Sequence, residues 1–454
     1  MLTSLIGFVL ALGLLVTVHE WGHYRVAVAC RIRVLRFSIG FGRPLLRWVR
    51  PQPGLNTDIE FVIGAIPLGG YVKLLDTRED DLAEHEQSRA FDRQPLRART
   101  AVVMAGPLAN FLLAVLLYAC TYALGSWQIE ASLSVPALDS PAYRAGLRGG
   151  EVVQAAGDTP DAMQEVASLE ELRAWLMLRS TAQAVYLRVD HAGGHVARER
   201  VVELHPIEGR APGLSLQSLG LISPQIAPIL RELVPNGAAQ RAGLEKGDTV
   251  VSIDEQRIED AAQLKRVIRE SVANVQPQLW RVSRSGGELD ITVALDVVME
   301  ENQTIGRLGA LLGDAPKKIW VAYDLGDALI KACETTAAMT HLTLSALVQM
   351  VTGTSSWDNL GGPVAIAEMA GQSLQVGLHA FLVYLALLSV SLGVFNLLPI
   401  PALDGGHLMY YLYEFLVGKA PAQRWILIFQ QAGFFVLMAL MAVALFNDLH
   451  RLSS

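Results

Sequence analysis

His19-Glu20-Trp21-Gly22-His23 closes an apolar run, Leu5–Val18, and the reading of that run decides the rest of the chain. The run reads as a helix buried on all sides. On a helix, positions i and i+4 share a face, so His19 and His23 present two imidazole nitrogens to one metal ion. Glu20 follows directly and leans over the same place as a general base. This H-E-x-x-H spacing is the arrangement of zinc peptidases. Water is a useless nucleophile at neutral pH, and a bound Zn²⁺ lowers its pKa from about 15.7 to about 7. Two His and a Glu in a membrane helix are expensive unless they are satisfied, which argues against idle residues. The plain alternative is a pair of core histidines at a helix end.

The bulk figures fit a membrane protein with soluble insertions. The chain has 454 residues, 52% of them apolar, and a mean hydropathy of +0.33. Its length suggests about three units. A net charge of −7 offers no basic surface for nucleic acid. The three cysteines, Cys30, Cys120 and Cys333, are far apart, so neither a Cys-ligated zinc site nor a disulfide framework is supported.

Met1–Val28 lacks the basic start and small-residue cleavage site of a signal peptide, and reads as a retained spanning helix. Arg25, Arg31, Arg33, Arg36, Arg43, Arg47 and Arg50 follow it, so its N-terminus is expected outside and His19 toward the cytoplasm. Phe37–Gly42 and Ile59–Leu75 read as membrane-associated β-hairpins, which offer a strand edge to an extended substrate or simply cover a surface. Asp76–Arg99 reads as a solvated connector. Ala101–Leu124 is a second span, broken by Gly106-Pro107, whose expected role is a kink.

Between residues 127 and 310 the composition turns polar and β-branched, and a repeat emerges. Ala142–Val153 aligns with Ala239–Val250, with Gly146 and Gly243 97 residues apart. The shared A-G-L-x-x-G-[ED]-x-[VI] pattern is a short helix, a turn and a strand. It resembles PDZ domains, with copies expected at 127–215 and 216–310. Leu219–Ile222 is expected to be the second copy's loop, taking a peptide C-terminus on its backbone N–H groups. Lys317–Thr352 reads as a helix with an uneven apolar face, Gly353–Gly362 as a connector. Gly377–Leu398 is the third span and Trp425–Phe446 the fourth. Pro399 and Pro401 end the third helix, and irregular backbone then delivers Asp404.

Four crossings from an outside start bring His19, His23 and Asp404 to one leaflet. Catalytic zinc usually takes three protein ligands and keeps a place for water. Asp404 completes that set; His407 is its rival. Asn396 is placed to donate to substrate or to a developing oxyanion.

At these residues the chain resembles the site-2 protease family of intramembrane zinc metalloproteases. The likeness rests on HEWGH, Gly40-Phe41-Gly42, IPLGGYVK at Ile66–Lys73, the tandem repeat, and NLLPIPALDGG at Asn396–Gly406. It implies His19, His23 and Asp404 as ligands of one Zn²⁺, Glu20 as the catalytic glutamate, and Asn396, Pro399 and Pro401 as residues shaping substrate binding. It further implies a multi-pass protein of the bacterial inner membrane with periplasmic PDZ domains and an active site toward the cytoplasm. The implied substrates are single-span membrane proteins already trimmed outside, typically an anti-sigma factor in an envelope stress response, with remnant signal peptides a second class.

The expected fold is thus a polytopic α-helical membrane protein with four spanning helices, membrane-associated β-hairpins and two inserted periplasmic PDZ (α+β) domains. Its parts are 1–126, the first catalytic membrane half; 127–215 and 216–310, the PDZ copies; 311–376, amphipathic helices and connector; and 377–454, the second catalytic half. Two other readings compete. A non-enzymatic PDZ scaffold would carry a structural zinc, which is usually closed by four protein ligands. A metal transporter would spread its acids and histidines through several spans.

Overall fold

The computed structural model describes residues 2–55, 57–77, 84–177, 184–191, 199–206, 215–271, 276–300, 303–353 and 361–453. Most of the Gly353–Gly362 connector and residues 78–83 of Asp76–Arg99 lie outside the described residues. The chain forms two compact units, one of Met1–Gly125 with Ala322–Ser454, the other of Ser126–Val321.

The first unit begins with helix α1 (Leu2–Ala29). Strands β1 (Val34–Pro51) and β2 (Asp58–Leu74) follow and pair with each other. They are not separate hairpins. Phe37 faces both Val72 and Phe61, and Ile39 faces both Gly70 and Ile63, so the first half of β1 lies between two stretches of β2. The sheet's inner edge is packed: Val34 and Ile59 are buried together with Ala27 and Val102. Phe41, Leu45, Leu46, Trp48 and Val49, on the second part of β1, are exposed. After a single turn, α2 (Glu84–Gln87), helix α3 (Leu96–Leu124) runs unbroken through Gly106 and Pro107, where the sequence suggested a break. Pro107 lacks the N–H that would reach the Val103 carbonyl, and the helix continues on the hydrogen bonds either side of that one missing bond.

The second unit holds two four-stranded sheets, each with its own core. In the first, β4 (Glu151–Thr159), β5 (Ala162–Glu165), β6 (Val185–His191) and β7 (Arg200–Leu204) lie in the order β5-β4-β6-β7. Helices α4 (Pro141–Arg144) and α5 (Leu169–Met177) complete it. In the second, β9 (Thr249–Ile253), β10 (Gln256–Arg257), β11 (Gln278–Arg284) and β12 (Gly287–Val293) lie in the order β10-β9-β11-β12. Its helices are α6 (Ala238–Arg241) and α7 (Ala261–Glu270). The paired strands β13 (Asp296–Glu300) and β14 (Gln303–Arg307) follow, and β15 (Ala310–Leu312) pairs with β8 (Leu230–Leu233).

The repeat is therefore structural, but its copies are bounded differently from the sequence reading. Leu219 and Leu221 are buried in the core of the first sheet, with Leu216 packed against them. The Leu219 carbonyl accepts from Ala142 N at 3.2 Å, as Leu308 O accepts from Ala239 N at 2.8 Å. Gly220 and Gly309 hold matching left-handed φ values of 72° and 71°. Leu219–Ile222 thus closes the first copy and is not a loop of the second. Leu308-Gly309-Ala310 is the equivalent in the second. An apolar residue beside a glycine turn enters its own copy's core because only there is its face covered.

The acid at the same place in both copies is buried beside an arginine. Glu151 accepts from the backbone of Arg148 and Gly149 and from Arg200. Asp248 accepts from Glu245 N at 2.8 Å and from Arg284 Nε at 2.7 Å. Burial pushes the Asp248 carboxyl up, but Arg284 and the Glu245 amide outweigh it and hold it below the ordinary value. A carboxyl whose pKa is lower folded than unfolded stabilises the fold above its unfolded pKa, about 3.9, and loses that contribution as pH falls toward the folded one. Arg284→Ala is therefore expected to move acid unfolding of this copy to higher pH. Amide exchange of Thr249–Ile253 between pH 6 and pH 3 measures it; an unchanged pH dependence would contradict the pairing.

Lys317–Thr352 is not one helix. β16 (Lys318–Val321) pairs with β3 (Ser126–Ile129), with Trp320 opposite Trp127. Ile319, Trp320 and Val321 are strand formers, and the open edge of β3 gives them backbone partners. Helix α8 (Leu325–Val351) starts only where Asp324 caps it, accepting from Gly326 N and Asp327 N. Thereafter come α9 (Pro363–Val376), α10 (Leu378–Leu397), α11 (Asp404–Val417) and α12 (Gln423–Ser453). Four helices among the described residues are long and apolar enough to cross a membrane: α1, α3, α10 and the Gln423–Arg451 part of α12. Exposed Phe434, Phe435 and Phe446 on α12 suit contact with lipid.

Helix α3 organises this unit. Ala114 and Tyr118 pack with Ala332 of α8 and with Ala386, Val390 and Val394 of α10. Arg99, near its start, makes a two-pronged ion pair with Glu414 of α11 at 2.6 and 3.1 Å. Asp448 of α12 is buried and accepts from the N–H groups of Gly362, Val364 and Ala365, capping α9. These ties set α8, α10 and α11 against α3, and α12 against α9.

Candidate metal centre

The site starts from the close approach of two helices. A Cβ on Gly22 of α1 would meet the Ala105 carbonyl and Ala109 of α3. A Cβ on Gly106 of α3 would strike His23 Nε2 and come within 2.8 Å of His19 Cε1. Paired glycines therefore let the backbones approach and bring both imidazoles, set edge to face, against α3. The sequence suggested a kink at Gly106; the structure gives that residue the floor under the rings.

Asp404 arrives from the other end of the chain. It is the first residue of α11, following Leu398–Leu403, which is non-helical. Gly405 and Gly406 lie directly against the Leu398 carbonyl and Pro401, a fold-back that any side chain would block. Asp404 Oδ2 thereby stands 3.2 Å from His19 Nε2 and 3.4 Å from His23 Nε2. The two Nε2 atoms are 3.2 Å apart. His19, His23 and Asp404 form the one cluster of three or more His, Cys, Asp or Glu donors among the described residues. His407, the rival ligand, lies outside this group, and its ring meets Tyr410 edge-on.

This donor set fits zinc. Ligand atoms about 2.0–2.1 Å from a tetrahedral centre stand about 3.3–3.4 Å from one another, close to the three separations here. Asp404 Oδ2 is buried and makes no hydrogen bond, as expected of an oxygen whose lone pairs serve a cation. The His23 ring is oriented from behind, with Nδ1 2.8 Å from the Val102 carbonyl. Nδ1 is then the N–H donor and Nε2 keeps its lone pair toward the cluster. The Asn110 amide lies 3.1 Å from His19 Nδ1. Neither Val102 nor Asn110 is announced by a motif around His19; the sole signal is a buried Asn in an apolar span.

Glu20 sits beside the two histidines and leans on the β-sheet. Gly70 of β2 makes room for it: a Cβ there would lie 3.1 Å from Glu20 Cγ and 3.0 Å from Val16 Cγ1. Asn396 donates its amide hydrogen to Leu392 O of its own helix at 3.0 Å. Pro399 is exposed at the end of α10. Pro401 packs between Gly406 and Gly433; a Cβ on Gly433 would lie 3.1 Å from Pro401 Cδ.

Two imidazoles and a carboxylate gathered among membrane-length helices, with a glutamate alongside, define a membrane metallohydrolase. The family model described as Peptidase family M50 matches residues 7–440. A zinc metalloprotease of Ralstonia nicotianae is 36% identical over 464 residues, covering 99% of this chain and 98% of its own. The regulator of sigma-E protease RseP of Salmonella typhimurium is 34% identical and that of Escherichia coli 33%, each covering 99% of both chains. A stretch amounting to 17% of the chain matches 69% of the HtrA3 PDZ domain at 29% identity, with a TM-score of 0.14. The chain belongs to Peptidase family M50, and it is an intramembrane zinc metalloprotease.

Proposed function

We propose that one zinc ion is held by His19, His23 and Asp404, and that Glu20 is the general base of peptide-bond hydrolysis. The observation that carries this is the triangle of donor atoms, 3.2 to 3.4 Å on a side, with Glu20 beside it. Zinc, when bound, supplies Lewis-acid polarisation and a water acidic near neutral pH. Glu20 takes the proton of the attacking water and hands it to the leaving amine. His23 and His19, held against α3, offer their Nε2 atoms as the nitrogen donors. Asn396, at the end of α10, together with Pro399 and Pro401 shapes the channel by which the substrate backbone approaches.

The substrate we assign is the membrane segment of a single-span protein already trimmed outside. A peptide bond within a helix is shielded by its own hydrogen bonds, so that segment must unwind before it is cut. The β1–β2 sheet abuts Glu20 through Gly70, and a strand edge there offers backbone partners to the unwound stretch. By analogy with the RseP relatives, whose name makes them regulators of sigma-E, the substrate is an anti-sigma factor in an envelope stress response, with remnant signal peptides a second class. The protein spans the inner membrane with both ends outside and the metal centre toward the cytoplasm, the orientation favoured by the arginines after α1. Ser126–Val321 is then periplasmic, a PDZ pair whose grooves accept a peptide or C-terminus and which excludes substrates with large outer domains.

Deleting Ser126–Val321 is expected to let an untrimmed single-span substrate be cut, and a zinc chelator to stop cleavage of trimmed and untrimmed forms alike. Unchanged discrimination after the deletion would remove the filter. Chelator-resistant cleavage would remove the metal mechanism.

A further inference from the structure

Asn110 is fully buried in a spanning helix, where an amide is costly unless it has work to do. Its backbone carbonyl accepts from Ser389 Oγ of α10 at 2.7 Å, which ties this turn of α3 to the helix leading to Asp404. Its side-chain nitrogen lies 3.1 Å from His19 Nδ1, while its side-chain oxygen is buried with no partner. With the nitrogen inward, Nδ1 is an acceptor and the ring's hydrogen falls on Nε2, which then has no lone pair for a metal. A half-turn of the amide brings the oxygen to the ring, gives it the Nδ1 hydrogen, and frees Nε2. The amide's two ends differ little in shape, so the exchange leaves the packing intact.

We propose that Asn110 is the positioning residue for His19: its side-chain oxygen accepts the Nδ1 proton and so holds Nε2 as a lone-pair donor facing Asp404 and His23. This parallels the Val102 carbonyl behind His23, but from a side chain and therefore open to substitution. The inference rests on the zinc site proposed above. Groups that orient a ligating histidine typically contribute 10–100-fold to metal affinity.

The experiment is zinc binding by the full chain in detergent, measured by competition with a chelator. Asn110→Leu keeps the volume and loses the acceptor, and is expected to weaken zinc by about 10–100-fold. Asn110→Asp, whose carboxylate accepts the same proton, is expected to bind at the parent level or more tightly. Parent-level affinity in Asn110→Leu, or equal weakening in both variants, overturns the inference. Should Asn110→Leu not fold, Asn110→Asp decides alone, weaker binding overturning the inference and parent-level or tighter binding supporting it. His19→Ala separates the two readings. If it retains zinc, the ligand set itself is wrong and this inference falls with it. If it loses zinc while Asn110→Leu does not, only the role of Asn110 falls.

Discussion

Glu20→Gln is expected to lower cleavage of a single-span substrate by about 10²–10⁴-fold while zinc content stays at the parent level. The amide keeps the shape that fits over Gly70 and beside Val16, so the helix–sheet packing survives. It lacks the basic oxygen that takes a proton from water. The proposed metal donors are the neighbouring His19 and His23 with Asp404, and the substitution changes none of them. Single-turnover cleavage and metal content per chain are the two measurements. Comparable turnover would take the base role from Glu20; loss of zinc together with activity would make Glu20 part of the metal-binding set.

Gly106→Ala is expected to weaken zinc binding by about 100-fold or more, beyond the range for losing a single orienting group. The added methyl falls on His23 Nε2 and against His19, two of the three donors at once. Helix stability cannot account for the loss, since Ala is the better helix former by about 0.8–1.0 kcal/mol. Gly13→Ala is the control: it lies in α1, and a Cβ there meets nothing within 4 Å. Equal zinc affinity in Gly106→Ala and the parent would show that α3 yields at this point and that the rings do not depend on its backbone.

Both predictions concern the same square of structure, yet only one was legible in the sequence. His19, Glu20 and His23 lie within one helical turn or so, and their spacing carries the chemistry by itself. The floor beneath them does not. His23 takes its backbone partner 79 residues away and His19 meets an amide 91 residues away. At Gly106-Pro107 the local rule, that such a pair bends a helix, gave a kink, because nothing in the neighbouring residues says that imidazoles lie against that face. The same limit shows at Leu219–Ile222. Its pattern marked a turn correctly, but not which of two similar cores would receive the leucines. At Lys318–Val321 the apolar spacing passed for helix until the free edge of β3 supplied hydrogen-bond partners.

The order of apolar runs, the polar insert with its repeated A-G-L-x-x-G motif, and the acid after two prolines were properties of the chain itself. They follow from local periodicity and from the cost of placing charge in lipid, which any window of residues already expresses. The distances among His19, His23 and Asp404, the glycines that permit them, and the partners behind each ring came only from the packed helices. Those depend on which backbones can approach closely, and that is settled where residues far apart in the chain share a volume.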